Sequence, residues 1–264
     1  MSRKKSNKQS SDPLDEIVEH TEYLQLTALR DQIGNLVKQA QEQSWSYSQF
    51  ALEMLRYESQ TRDDRRLTRN LKCSGLPEKI EGVRDFDFSI RPKLEAKIIN
   101  ELLNCRWVDE DGCGRNILCV GRPGLGKSRI LDALCHAACL RGHSVRKIET
   151  ADLLQELHAS EVDGTYQRTF KRYKNVGVLY MDNFGYEPFD SFATAQLFRI
   201  VSARHRQKPT LLAASTGFTK WRELFPSPEQ AVATVDRLID RATILRFTGK
   251  TKRSPKEIFG GETD

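Results

Sequence analysis

The segment best suited to chemistry is a glycine-rich stretch that ends in lysine and serine. It reads Gly121-Arg122-Pro123-Gly124-Leu125-Gly126-Lys127-Ser128 and fits the pattern GxxxxGK followed by Ser or Thr. In this pattern the glycines let the backbone curl so that its N–H groups point at phosphate oxygens. Lys127 then neutralises the β- and γ-phosphates, Ser128 binds Mg²⁺, and the following helix presents the positive end of its dipole. The stretch, extended by Arg129, therefore predicts a site for ATP and Mg²⁺.

A carboxylate that could complete this site follows an apolar run. Residues 178–181 are Val-Leu-Tyr-Met, and Asp182 comes directly after them. The carboxyl ends of parallel strands form the sheet edge at which such folds bind ligands. Asp182 is therefore predicted to hold Mg²⁺ through water, together with Ser128. The alternative is a carboxylate that only caps the next turn.

Short apolar runs alternate with helical stretches from residue 116 onward. The runs lie at 117–120, 145–148, 176–181, 210–214 and 243–247. Strands separated by helices predict a parallel sheet with helices on both faces. We therefore expect an α/β fold for residues 76–256, with a five-stranded parallel sheet and the glycine-rich stretch between a strand and a helix.

Two helical patterns precede this α/β domain. From Thr21 the apolar positions recur at helical spacing, which predicts one amphipathic helix that ends before Trp45. Ser46 and Gln49 fit a capping box, so a second helix is expected from there to a stop at Gly75. Its expected buried positions are Phe50, Ala51, Met54 and Leu55.

These patterns indicate a small all-helical domain at 14–75 that binds DNA or a partner. A flexible basic tail at 1–13 is expected before it, because those residues have nothing to bury. A short C-terminal tail is expected at 257–264.

Composition excludes several classes of protein. With 264 residues, 38% of them hydrophobic and 30% charged, the chain has the core formers of a soluble globular protein. No apolar run approaches the roughly 20 residues of a membrane-spanning helix, and the basic start lacks the apolar stretch of a signal peptide. We expect a cytoplasmic protein with no membrane partner. The six cysteines show no paired CxxC spacing, which favours reduced thiols over disulfides or a zinc site.

Positive charge is concentrated late in the chain. The net charge is +6 from 42 basic and 36 acidic residues, and residues 191–256 carry 13 basic but only 4 acidic ones. Such an imbalance is typical of a surface that binds a polyanion, and also of a merely solubilising face.

Three basic sets are candidates for contact with DNA. They are Arg62, Arg65, Arg66 and Arg69 along one side of a helix, Arg168, Lys171, Arg172 and Lys174 among aromatic residues, and Arg204, Arg206 and Lys208 in the loop before the run at 210–214. The alternative for each set is a solvated face whose charges pair locally. No element resembles a base-reading motif, so we expect largely non-specific contacts with the backbone of duplex DNA.

The glycine-rich stretch at 121–128 has the pattern of a P-loop, and further residues accompany it in a fixed order along the chain. They are the helical stretch 26–71 with Trp45, Phe86-Asp87-Phe88, Asp182-Asn183-Phe184-Gly185-Tyr186, Ala214-Ser215-Thr216, Trp221, Asp236-Arg237-Leu238 and 249–253. With this set the chain resembles the IstB/DnaC-like AAA+ ATPases over about residues 23–253. Within that family it most resembles the insertion-sequence transposition helpers of the IstB type. The resemblance implies a small helical domain followed in the chain by an AAA+ (ASCE) domain.

The resemblance also implies a homo-oligomer that holds ATP between subunits and engages DNA. By this resemblance Arg237 acts in trans on the nucleotide of a neighbouring subunit, where a guanidinium stabilises charge on the transferring phosphoryl group. Arg253 falls at the position of a phosphate-sensing arginine, and Thr216 falls at the position of the sensor on the neighbouring strand.

Two residues depart from the family pattern. The residue after the strand-terminal aspartate is usually acidic in such ATPases, whereas this chain has Asn183, which cannot accept a proton from water. The sensor is typically an asparagine, whereas this chain has Thr216 with Ser215 beside it. We therefore expect ATP binding to drive assembly and hydrolysis to be slow without a partner. Fast hydrolysis by the protein alone, unaffected by Asn183→Ala, would contradict this expectation.

The favoured function is an ATP-dependent DNA-binding helper that oligomerises on duplex DNA and recruits or stimulates a transposase. The alternative is a DnaC-like loader of a replicative helicase, which would contact mainly single-stranded DNA. A small-molecule kinase is disfavoured because no acceptor pocket is evident and Arg237 would then have no role.

Overall fold

The computed structural model describes residues 12–251. The predicted basic tail therefore falls almost entirely outside the described residues, as do Arg253 and the tail at 257–264. The chain divides into two compact units, with the boundary between Thr68 and Arg69 inside a long helix. The predicted helical domain ended seven residues later, at 75, and its independent function stays a prediction.

The N-terminal unit is helical. It comprises α1 (Pro13–Tyr23), α2 (Thr27–Glu42) and α3 (Tyr47–Cys73), of which α3 continues past the boundary. The capping box is confirmed at the start of α3, because Ser46 Oγ accepts a hydrogen bond from the Gln49 N–H at 3.2 Å. The helix also ends before Gly75, as predicted.

The start of this unit corrects the sequence prediction. A separate helix begins at Pro13, with the Asp12 side chain accepting from the Leu14 N–H at 3.0 Å. The chain then turns at Gln25, whose φ is 56°, so the predicted single helix from Thr21 is wrong. Asp followed by Pro is the usual N-cap and N1 pair, and that signal was available in the sequence.

A small apolar core joins α1, α2 and α3. Leu29, Ile33 and Leu36 are buried in it, and Phe50 and Met54 pack against them. The expected burial of Ala51 and Leu55 is wrong, because both side chains are exposed, Leu55 by 68%. The buried face of α3 continues instead through Tyr57 and Glu58, which lie seven and eight positions after Phe50 on the same side of the helix.

Glu58 stabilises this unit through a long-range cap. Helix α2 has no side-chain cap of its own, and Glu58 Oε2 accepts from the Leu29 N–H in its first turn at 2.9 Å. Its other carboxylate oxygen accepts from Arg62 Nε at 2.7 Å. Burial raises the pKa of Glu58, but these hydrogen bonds outweigh burial and hold the pKa below its ordinary value. The stabilisation is therefore present above the ordinary pKa of a glutamate and is lost as the pH falls through the lowered pKa.

Glu58→Ala is expected to destabilise the start of α2 by about 1 to 2 kcal/mol, because a first-turn N–H loses its acceptor. Hydrogen exchange of the α2 amides in the full chain measures this effect as faster exchange near Leu29. Glu53→Ala is the matched control, since Glu53 lies on the same helix and, among residues 12–251, pairs with exposed Arg56 alone. Equal protection in wild type and Glu58→Ala would contradict the capping role.

The second unit is α/β. Its strands are β1 (Asn116–Gly121), β2 (Val145–Glu149), β3 (Val178–Phe184), β4 (Thr210–Ala214) and β5 (Ala242–Phe247). Its helices are α4 (Ala96–Leu102), α5 (Lys127–Leu140), α6 (Thr150–Val162), α7 (Tyr166–Asn175), α8 (Ser191–Arg204), α9 (Phe218–Trp221) and α10 (Pro228–Ile239).

The five strands form one parallel sheet in the order β2-β3-β4-β1-β5. Side chains from α6, α8 and α10 form a core cluster with Leu118, Leu179 and Leu212 on the sheet. Helix α5 contacts β1 to β4 but contributes no residue to that cluster, so it covers the other face. The predicted α/β fold with a five-stranded parallel sheet is confirmed.

Parallel pairing brings the carboxyl ends of the strands to one edge. Val120 pairs in register with Ala214, and Glu149 pairs with Asp182. The loops that follow β1, β2, β3 and β4 therefore meet at this edge, which positions the site described below. Within residues 12–251, helices that are both long and apolar enough to cross a membrane are absent.

Candidate nucleotide-binding site

The glycine-rich loop joins β1 directly to α5, as the sequence predicts. Gly126 has a φ of 91°, and a Cβ there would lie 2.6 Å from Phe86 Cε2. Only glycine fits this conformation and this close approach. The loop thus delivers the chain into the first turn of α5, where N–H groups and the helix dipole favour a phosphate.

Lys127 is the first residue of α5 and is folded against the loop. Its Nζ donates to the carbonyl oxygens of Gly121 at 2.7 Å and Arg122 at 3.0 Å. Burial lowers the pKa of Lys127, while Asp182 opposes this shift. The ammonium group is therefore held beside the loop, where it can neutralise phosphate charge.

Ser128 and Asp182 come together at the carboxyl edge of the sheet. Ser128 Oγ donates to Asp182 Oδ1 at 3.2 Å, and the same carboxylate oxygen accepts from the Asn183 N–H at 3.0 Å. A hydroxyl and a carboxylate are hard oxygen ligands of the kind that Mg²⁺ prefers. The pair fits the predicted role for Mg²⁺, with Ser128 and Asp182 as the residues that would hold it.

Two further charged residues at this site were missed by the sequence analysis. Lys147 Nζ lies 2.7 Å from Asp132 Oδ1 and 3.5 Å from Asp182 Oδ2, and its ammonium sits 5.2 Å from the ring centroid of Tyr180. Burial raises the pKa of Asp132, and Lys147 opposes that rise. Lys147 thus offsets the negative charge of the Asp132 and Asp182 carboxylates beside the glycine-rich loop, which is called the nucleotide loop below. The position of Asp132, one helical turn after Ser128, was the only sequence signal.

A cavity of about 480 Å³ lies over the loop. Its walls include Pro123, Lys127, Ser128, Asp132, Asn183 and Ser215. Asn183 and Ser215 therefore reach the loop from the ends of β3 and β4. A volume of this size suits a nucleotide-sized ligand.

Thr216 lies on the other side of Ser215. It lines a separate cavity with Arg122, and its carbonyl oxygen accepts from Trp221 Nε1 at 3.1 Å. Ser215, which lines the cavity over the loop, is better placed than Thr216 to contact a nucleotide there. The sensor role assigned to Thr216 stays a prediction.

Arg129 is engaged with the segment before the sheet. It forms an ion pair with Glu81 at 3.0 Å and donates to the Gly82 carbonyl at 2.8 Å. Its predicted contact with ATP stays a prediction, as does that of Arg122. Arg253, the predicted phosphate sensor, lies outside the described residues.

Arg237 is positioned near the end of the sheet opposite the nucleotide loop. Its side chain donates to the Ala233 carbonyl at 2.7 Å and stacks 4.7 Å from the ring centroid of Phe198. Its own carbonyl lies 3.5 Å from Asn116 Nδ2, at the amino end of β1. A six-residue strand separates that end from the loop by roughly 16 Å. This position is compatible with the predicted action on a neighbouring subunit.

Helix α7 presents unpaired positive charge. Arg168, Lys171 and Lys174 are exposed, and within the described residues they form no ion pair. Arg172 differs, because it pairs with Glu156 and lies 4.8 Å over the Tyr173 ring. Tyr173 is buried in the core of the unit, and Phe170 packs against that core.

The arginines of α3 are exposed but mostly engaged. Arg62 donates to the Gln25 carbonyl at 2.8 Å, Arg65 donates to Thr27 Oγ1 at 2.7 Å, and Arg66 pairs with Asp63 at 3.0 Å. Contact of this set, including Arg69, with DNA stays a prediction.

The third basic set corrects the sequence prediction at Arg204. Arg204 ends α8 rather than lying in a loop, and only 1% of it is exposed. Its guanidinium donates to backbone carbonyls, including those of Tyr173 at 2.8 Å and Pro209 at 2.6 Å. Burial lowers the pKa of this guanidinium. A group enclosed in this way cannot contact DNA, so the prediction for Arg204 is wrong.

The two neighbours of Arg204 are nearer the surface. Arg206 pairs with Asp240 at 2.9 Å, and Lys208 donates to the Asn175 carbonyl. Their predicted contacts with DNA stay predictions.

Comparison of the sequence with known families gives one match over most of the chain. Residues 19–258 match the model described as IstB-like ATP binding protein. A protein named for ATP binding in insertion sequence IS232 of Bacillus thuringiensis subsp. berliner is 26% identical over 249 residues, covering 94% of this chain and 98% of that protein. A protein named in the same way in insertion sequence IS21 of Pseudomonas aeruginosa is 27% identical over 238 residues, covering 90% and 88%.

Solved structures share the fold of the α/β unit. DnaI aligns with a TM-score of 0.54 and 20% identity over 70% of this chain and all of that chain. AMPPCP-bound DnaA from Aquifex aeolicus aligns with a TM-score of 0.53 and 19% identity over 65% of this chain and about half of that chain, 51%. The α/β unit thus has the AAA+ P-loop fold, and the chain belongs to the family of IstB-like ATP binding proteins.

Proposed function

We propose that this protein is an ATP-dependent DNA-binding helper of a transposase, which assembles as a homo-oligomer on duplex DNA. The observation that carries the proposal is the match to IstB-like proteins along nearly the whole chain, with relatives named for insertion sequences. The matched range, residues 19–258, includes most of the helical unit and most of the α/β unit.

ATP binds in the cavity over the glycine-rich loop in this proposal. Lys127 moves from the two loop carbonyls to the phosphates, and the first turn of α5 supplies N–H groups to the same oxygens. Mg²⁺, when held by Ser128 and Asp182, offsets negative charge on the triphosphate. In this way the contacts of Lys127 with the loop carbonyls and of Ser128 with Asp182 are replaced by contacts with the ligand. A bound nucleotide therefore orders this edge of the sheet.

Assembly completes the site for hydrolysis. The backbone of Arg237 lies near the amino end of β1, and its guanidinium is held by Ala233 and Phe198, so in this arrangement it does not serve the loop at the carboxyl end of the same strand. A neighbouring subunit that presents Arg237 to this loop would stabilise the charge that develops on the γ-phosphate. Hydrolysis is therefore slow in isolated subunits and is coupled to assembly on DNA.

Backbone phosphates are the proposed contacts on DNA, and α7 is the favoured surface. Arg168, Lys171 and Lys174 recur at three-residue spacing and have no competing ion pair within the described residues. Charged side chains in this arrangement attract duplex DNA without reading its sequence.

The function is tested by measuring binding to random-sequence duplex and single-stranded DNA with ATP, with ADP and without nucleotide. Cooperative duplex binding that requires ATP and is lost in Lys127→Ala is the expected result. Stimulation of strand transfer by the transposase encoded with the same element would complete the test. Preference for single strands, or DNA binding only after a replicative helicase is added, would instead favour a helicase loader.

The contribution of α7 has a quantitative signature in salt. Replacing Arg168, Lys171 and Lys174 together by alanine should make the slope of log K against log salt shallower by up to about 2.7, because each phosphate contact contributes about 0.9. The matched control removes Lys93, Lys97 and Arg106, three exposed cations elsewhere in the same unit. An unchanged slope in the α7 variant would exclude this helix from the DNA contact.

A further inference from the structure

The residue after Asp182 leaves the site without an obvious proton acceptor. Asn183 has a side-chain amide, which can orient water but cannot take its proton. Its φ is 50°, and its N–H is bound to Asp182, so the residue turns out of the strand toward the cavity. The carboxylate needed for water activation must therefore come from another element.

Glu149 brings a carboxylate to Asn183. Glu149 Oε2 accepts a hydrogen bond from Asn183 Nδ2 at 2.8 Å, although 34 residues separate the two in sequence. Glu149 is the last residue of β2 and pairs in register with Asp182 on β3. Adjacent strands lie about 4.8 Å apart, so the carboxyl edge of the sheet places Glu149 next to the predicted Mg²⁺ ligand.

The Glu149 side chain is available for chemistry. Glu149 occupies the N-cap position of α6, yet its side chain makes no capping hydrogen bond to that helix. The residue is exposed. The carboxylate is therefore directed by Asn183 rather than used to stabilise α6.

Glu149 also borders the space over the nucleotide loop. It lines a cavity of about 520 Å³ that shares Pro123, Asn183 and Ser215 with the cavity over the loop. Glu149 itself lines only this second cavity, and its hydrogen bond to Asn183 connects it to a residue that lines both.

Other carboxylates nearby are less suited to the task. Asp132 is almost buried and is paired with Lys147 at 2.7 Å. Asp190 accepts from the Ala193 N–H at 2.7 Å and so caps α8. Glu187 lines the second cavity, as Glu149 does, but Asn183 donates its side-chain hydrogen bond to Glu149 and not to Glu187.

We propose that Glu149 is the catalytic base for ATP hydrolysis and that Asn183 positions its carboxylate. In this proposal the carboxylate that activates water comes from Glu149 on β2 and not from the residue that follows Asp182 on β3. This inference rests on the proposed ATP hydrolysis and assigns a residue to it.

In the proposed step, a water oxygen forms a bond to the γ-phosphorus of ATP while Glu149 accepts a proton from that water. The bond between the γ-phosphorus and the β–γ bridging oxygen breaks, and its electron pair leaves with ADP. The products are ADP and inorganic phosphate, and Glu149 then releases its proton to phosphate or solvent.

Glu149→Gln tests the assignment because it keeps the size and the hydrogen-bonding capacity of the side chain but removes its basicity. We expect DNA-stimulated hydrolysis to fall about 10²-fold or more. Affinity for the fluorescent nucleotide N-methylanthraniloyl-ATP should change by less than about threefold, since a base contributes to the transition state rather than to binding. The ATP-dependent complex with DNA should also live longer, because its nucleotide persists.

Two further variants separate catalysis from structure. Glu187→Gln removes a carboxylate from the same cavity and should leave hydrolysis unchanged. Exchanging the pair, with Glu149→Asn and Asn183→Glu in one chain, returns a carboxylate to the position after Asp182. That double variant should hydrolyse ATP at least about tenfold faster than Glu149→Gln does. A purely structural role of Glu149 would not produce this rescue.

The outcomes distinguish this inference from the proposed function. Wild-type hydrolysis that persists in Glu149→Gln, or that is lost in Asp132→Asn instead, overturns the role of Glu149 and leaves the ATPase intact. A wild-type protein that binds ATP and DNA but never hydrolyses ATP overturns both the hydrolysis and its base, while the ATP-dependent binding stands.

Discussion

Replacing Arg237 by alanine should lower DNA-stimulated ATP hydrolysis by about 10³-fold or more, while isolated subunits bind ATP as well as wild type does. The backbone carbonyl of Arg237 lies near the amino end of β1, and the guanidinium contacts Ala233 and Phe198 within its own chain. Its removal therefore takes nothing from the nucleotide cavity of the same subunit. The loss of ATP hydrolysis therefore appears only in assemblies, where a neighbouring subunit would have supplied the positive charge of Arg237.

Mixed assemblies give the sharpest test of this effect. Arg237→Ala and Lys127→Ala are each expected to be inactive alone. In a mixture, an interface can combine Lys127 from one subunit with Arg237 from the other, so part of the activity should return. The conservative variant Arg237→Lys should recover little, because an ammonium does not reproduce the planar, delocalised guanidinium.

Two results would contradict action in trans. Mixtures that remain as inactive as the single variants would show that both residues act in one subunit. Equal loss of ATP binding in isolated Arg237→Ala subunits would point to a local structural defect. Circular dichroism of each variant, compared with wild type, identifies that defect directly.

Arg204→Met should lower the free energy of unfolding of the α/β unit by about 3 to 5 kcal/mol. The guanidinium is almost wholly buried and donates to the carbonyl oxygens of Tyr173, Lys174, Val176, Gly177 and Pro209 and to Thr210 Oγ1. These acceptors lie where α7 leads into β3 and where the loop after α8 enters β4. Methionine fills part of the volume but leaves several buried carbonyls without a donor.

Urea unfolding of the full chain, followed by circular dichroism and by tryptophan fluorescence, measures this loss. Trp107 and Trp221 are buried in the α/β unit, so their fluorescence reports on it. Arg206→Ala is the matched control, because within the described residues that exposed arginine pairs with Asp240 alone. Loss of an exposed ion pair should change the free energy of unfolding little. A similar small cost for Arg204→Met would mean that water or neighbouring groups satisfy the freed carbonyls.

The positions of Arg168 and Arg204 show why positive charge in a sequence does not by itself identify a DNA-binding surface. Arg168 and Arg204 look equivalent as arginines near aromatic or apolar runs. In the fold the first is exposed on α7, whereas the second binds backbone carbonyls inside the unit. Exposure depends on which helix face meets the sheet, and that is decided by the packing of all the elements together.

Local patterns in the sequence by themselves determined the glycine-rich nucleotide loop, the five strands and the start of α3. Each of these depends on contacts between residues near one another in the chain: glycine conformations, apolar runs and a capping side chain. The order of motifs then indicated the family.

Tertiary structure alone decided the pairing of Glu149 with Asn183, the contact of Lys147 with Asp132 and Asp182, and the burial of Arg204. These contacts join residues from different elements, and the register of β2 against β3 sets two of them. A pattern within one element carries no information about the residue that faces it across the sheet. The chemistry of the site therefore follows from strand order and register as much as from the motif itself.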